Sequence, residues 1–66
     1  MKSYTPKEIE AILVANGFTL TRIKGSHHVY VNRETGKRTV VPIHNKDLKK
    51  GTLHGILKQA GIDLKD

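Results

Sequence analysis

The sequence predicts an α+β fold: three antiparallel strands in one sheet, with a helix before them and a helix after them. Three observations lead there. A segment near each end carries apolar residues at helical spacing and stops at a glycine. Three short β-branched runs, separated by turn residues, lie between them. With 66 residues the chain is read as one domain, residues 1–66, and a domain this small leaves only about 60% of its unfolded surface to be buried. Both helices are therefore expected on one face of the sheet, sharing a thin core.

The first helix starts at Thr5-Pro6-Lys7-Glu8, which combines a capping threonine, a proline at the first helical position and a glutamate placed to close a capping box. Ile9, Ile12 and Leu13 form its apolar stripe, and Gly17 ends it. Phe18 to Lys24 reads as the first strand, Gly25-Ser26 as a turn or bulge, and His28 to Val31 as the second strand. Asn32 to Lys37 is a hairpin loop, and Arg38 to Val41 is a third strand whose ladder Pro42 is expected to halt. His44 to Lys50 is a polar connection. Leu53, Ile56, Leu57 and Ala60 define the second helix, with Gly61 and Ile62 as a Schellman-type end. The tail from Asp63 to Asp66 is expected to fray.

Twelve Lys and Arg against six Asp and Glu give a formal charge of +6, a footprint of nucleic-acid binding. Net charge also serves solubility alone, so it does not decide the matter. An anionic membrane surface fits less well, because neither helix carries an aromatic face. The chain has no cysteine, which excludes disulfides, thiolate chemistry and Cys-ligated zinc. Four histidines are present, but without a His-x-x-x-His pairing, and His27 and His28 point to opposite sides of a strand. No metal site and no cofactor is expected. No apolar run approaches the roughly 20 residues of a membrane span, and Met1 to Tyr4 has no signal-peptide core, so the cytoplasm is the expected compartment.

A thin core leaves little room for a deep cavity, so an active site should be shallow and suited to a polymer. Strand alternation puts His27 with Val29 on one side and His28 with Tyr30 on the other. Tyr30 is the larger anchor and is placed under the helices, which leaves His27 facing outward. An imidazole titrating near neutrality can take the proton of an RNA 2′-hydroxyl or protonate a leaving 5′-oxygen. RNA supplies its own nucleophile, so neither an enzyme nucleophile nor a metal is obligatory. A histidine with no role beyond the surface is the plainer alternative. His44, just past the third strand, fits a phosphate contact, a second acid or base, or a structural bond to backbone.

Lys46, Lys49 and Lys50 precede the second helix. Lysines disfavour a helix N-terminus, but with its unpaired N–H groups they make a phosphate-binding corner. Lys50, His54 and Lys58 share one stripe of that helix, solvated or lying along RNA phosphates. With only Tyr4, Phe18 and Tyr30 as aromatics, and two of them expected in the core, binding should rely on backbone charge and shape.

The blocks Lys24-Gly25-Ser26-His27, Val41-Pro42-Ile43-His44, Lys50-Gly51-Thr52-Leu53 and Lys58-Gln59-Ala60-Gly61, in this order, resemble the HicA family over nearly the whole chain. The resemblance implies a fold like the double-stranded-RNA-binding domain. It also implies a ribosome-independent mRNA interferase, the toxin of a type II toxin–antitoxin system. The family's catalytic histidine follows Gly-Ser, which here is His27. The partner implied is a HicB-type antitoxin that covers the active site and often carries the DNA-binding segment, so DNA is met only indirectly. The expected RNA contacts are Lys24, Ser26 and His44, with Lys46, Lys49, Lys50 and Lys58 beside them. A non-catalytic RNA-binding module and a small domain docking an acidic protein are the competing readings. The Gly-Ser-His block favours the enzyme.

Overall fold

The computed structural model describes residues 3–64 and runs α1 (Pro6–Ala15), β1 (Thr19–Lys24), β2 (His27–Val31), β3 (Arg38–Pro42) and α2 (Lys50–Ala60). The strands form one antiparallel sheet in the order β1-β2-β3. The predicted α-β-β-β-α arrangement is thus the observed one. The fraying expected at the tail falls partly on Lys65 and Asp66, which lie outside the described residues, as do Met1 and Lys2.

Local chemistry sets the helix ends. Thr5 Oγ1 accepts from Glu8 N while Glu8 Oε1 accepts from Thr5 N, completing the capping box. Gly17 turns the chain at φ 87°, and Gly61 ends α2 at φ 70° with Ile62 N–H reaching back to Leu57 O at 2.9 Å, the Schellman bond. Ile9 and Leu13 of α1, with Leu53, Ile56, Leu57 and Ala60 of α2, pack on Tyr30 and Val41 of the sheet. Phe18 is not part of β1. It is buried at the α1–β1 connection, where it closes the core.

Two further strand boundaries and one register differ from expectation. His27 belongs to β2, because Lys24 and His27 pair directly across the two-residue turn. Pro42 does not halt the ladder. It pairs with His27, and Ile43 N–H still donates to Ser26 O at 2.6 Å. When Ile43 N–H points at β2, the neighbouring position points away from it, so on this edge strand the proline lacks only an N–H that faces outward. In β1 the register slips between Leu20 and Arg22, leaving Thr21 as an extra residue. Leu20 pairs with Tyr30, but Arg22 pairs with Val29 and Lys24 with His27. The bulge thereby carries Arg22 and Lys24 onto the face opposite Tyr30.

The two ends of the sheet are different places. Asn32 Nδ2 bonds Asn16 O, and Thr39 Oγ1 donates to Gln59, so both helices finish beside the β2–β3 hairpin. Leu48 N–H donates to Tyr4 O at 2.8 Å, which pins the connection ahead of α2 to the segment ahead of α1. Both helices therefore start at the end that holds the Gly25–Ser26 turn and the exit of β3.

Candidate nucleic-acid interface

His27 stands on the sheet face that neither helix covers, and its side chain is exposed. Its ring makes no hydrogen bond to another described residue. Lys24 is its cross-strand neighbour on one side and Pro42 on the other. Arg22 pairs with Val29 on the same face, and Arg38 pairs with Val31 at its far end. The outcome is an uncovered surface with a middle of valines, a basic margin and one imidazole at its upper edge.

Ser26 belongs to the turn beside His27, and its carbonyl holds Ile43 N–H. That bond draws His44 alongside the Gly-Ser-His turn, and His44 Nδ1 accepts Lys46 N–H at 3.3 Å. Lys49 and Lys50 are exposed at the start of α2. Lys49 is the N-cap, makes no side-chain capping bond, and is followed by no acidic residue in the first turn. The positive end of this helix is thus left to solvent or to an external anion. Lys24, Ser26, His27, His44, Lys46, Lys49 and Lys50 gather at one end of the molecule. Lys58 does not join them, because eight residues of helix carry it about 12 Å along the axis from Lys50.

His28 faces the other way. Its Nδ1 lies 2.6 Å from Glu10 Oε2, and the Tyr30 hydroxyl donates to the same oxygen at 2.5 Å. Burial, then the Glu10 hydrogen bond and charge, push the Tyr30 phenol up from its ordinary pKa. Glu10 went unnoticed in the sequence, as did Arg22 and Arg38. The only hint to Glu10 is its place beside Ile9 on the buried stripe. For Arg22, the odd spacing of Leu20 and Ile23 marks the bulge.

Residues 6–62 match the family model described as the HicA toxin of bacterial toxin–antitoxin. The chain belongs to the HicA toxin family. Membership makes the toxin role the frame for the basic end and implies an antitoxin as partner. No curated protein matches this HicA chain. Among the described residues, no helix is long and apolar enough to cross a membrane.

Proposed function

We propose that this HicA protein, acting as one domain in the cytoplasm, is an endoribonuclease that cuts messenger RNA without the ribosome, with His27 as its catalytic residue. The observation that carries the proposal is an exposed imidazole on an uncovered sheet face, paired across the strands with Lys24. His27 takes the proton of a 2′-hydroxyl. That oxygen attacks the adjacent phosphorus, the bond to the 5′-oxygen breaks, and the leaving oxygen takes a proton from the imidazolium, from His44 or from water. The products are a 2′,3′-cyclic phosphate and a free 5′-hydroxyl. These steps do not require a metal, because the nucleophile belongs to the substrate.

Lys24, with Ser26 in the same turn, opposes the charge that builds on the phosphate. His44, Lys46, Lys49 and Lys50 hold neighbouring phosphates, the last two together with the unpaired N–H groups of α2. Lys58 serves the flanking backbone further along that helix. A HicB-type antitoxin with an acidic face covers this same end, and opposite charge speeds its association. The test is a long single-stranded RNA incubated with the purified protein in EDTA. Cleavage to 5′-hydroxyl ends is expected. Binding without cleavage would leave a non-catalytic RNA-binding module, and neither would remove RNA as the substrate.

A further inference from the structure

An open hollow of about 470 Å³ lies where α1 begins and β3 ends, lined by Pro6, Lys7, Glu10, Ile43, His44 and Asn45. We propose that it is a nucleobase subsite, and that Glu10 makes it select a base bearing an exocyclic amino group. The inference rests on RNA being the ligand of this end of the molecule, and it adds a source of sequence preference that backbone charge does not supply.

The volume lies within the range of small-ligand sites, roughly 300–1,000 Å³. Two of its walls are apolar: Pro6 is buried and Ile43 packs against the core. His44 is exposed at its rim, and an imidazole is one of the rings on which unstacked RNA bases lie. Ile43 N–H is bonded to Ser26 O, one residue from the Pro42–His27 pair. A strand of RNA crossing His27 therefore reaches the hollow by passing around the end of the sheet.

Glu10 supplies the selectivity. Its side chain is only 19% exposed, and Oε2 takes both His28 and Tyr30, which fix the carboxylate in place. Oε1 carries no hydrogen bond to any described residue. No buried side-chain oxygen among the described residues lacks a partner, so Oε1 is open to water. A carboxylate only accepts, so a base that displaces that water must offer an N–H donor. Adenine, cytosine and guanine each offer an exocyclic amino group. Uracil has only an imino N–H set between two carbonyl oxygens, which a carboxylate repels. A fixed acceptor left facing carbonyl oxygen costs about tenfold in affinity.

The experiment is a titration of isotope-labelled protein with AMP, GMP, CMP and UMP, followed through its backbone amide resonances. Shifts at Lys7, Glu10 and Asn45 are expected with the first three, with UMP about tenfold weaker. Glu10→Gln, which can turn a donor toward uracil, should bring the four nucleotides to similar affinity. Asn45→Trp, at an exposed position, should fill the hollow and weaken all four. Shifts confined to residues 49–52, equal affinity for UMP, or unchanged discrimination in folded Glu10→Gln would overturn the subsite. Because no cleavage is involved, the nuclease reading fails or stands separately. A protein that binds the amino nucleotides here but cuts no RNA keeps the subsite and loses the enzyme, and one that cuts RNA while the hollow stays silent does the reverse.

Discussion

His27 and His28 are adjacent in the chain and stand on opposite sides of the sheet: His28 Nδ1 meets Glu10 at 2.6 Å under α1, while His27 is exposed on the uncovered face. Strand pleat alone divides two chemically identical side chains into a fixed one and an accessible one. The division also gives the pair different expected responses to substitution.

Replacing His28 with alanine takes a partner from a largely buried carboxylate. A cost of about 1–3 kcal/mol is expected, which in a domain of this size lowers Tm by at least about 4 °C. His27→Ala removes an exposed side chain with no hydrogen bond to a described residue and should stay within about 0.5 kcal/mol of the parent. Denaturant unfolding of both variants checks the contrast, and equal stabilities would contradict it.

Tyr30 gives a pH dependence with a definite sign. Its folded pKa lies above its unfolded value of about 10, so the unfolded chain loses this proton first as pH rises. The contribution is fully present below pH 10 or so and is lost above it. Tyr30→Phe lacks it. The stability difference between the two proteins should be flat from neutrality to about pH 9 and shrink beyond pH 10. A difference that keeps growing at high pH would show the hydroxyl to be differently bonded.

Lys49 and Lys50 sit at an uncapped helix start with no acid in its first turn. Reversing both to glutamate should weaken RNA binding and flatten its salt dependence by about 0.7 per lost phosphate contact. If the antitoxin covers the same surface, its association should slow as well. Filter binding across a salt series and association kinetics measure the two effects. Retention of both activities would separate this corner from the functional surface.

The elements were legible in the sequence because their signals are local. Thr5 with Glu8, Gly17, and Gly61 with Ile62 each act within a few residues, and the structure shows each cap as written. Alternation was enough to put Tyr30 under the helices and His27 outside. The surroundings of His27 were harder. Arg22 and Lys24 reach its face only through the extra residue at Thr21, and a bulge reverses the alternation on which face assignment depends. Glu10 joins residues 18 and 20 positions away, a contact that tertiary packing alone creates. Lys58 stands apart from the basic end for a related reason, since a helical stripe records which side a residue faces and not how far along the axis it lies.

His27, and not its neighbour, is the residue proposed to carry the chemistry. The most direct test compares wild type, His27→Ala and His28→Ala on one long single-stranded RNA in EDTA, below the melting temperature of all three. Cutting by wild type and His28→Ala, with none by folded His27→Ala, is the predicted result. Undiminished cutting by His27→Ala would move the catalytic role to another side chain.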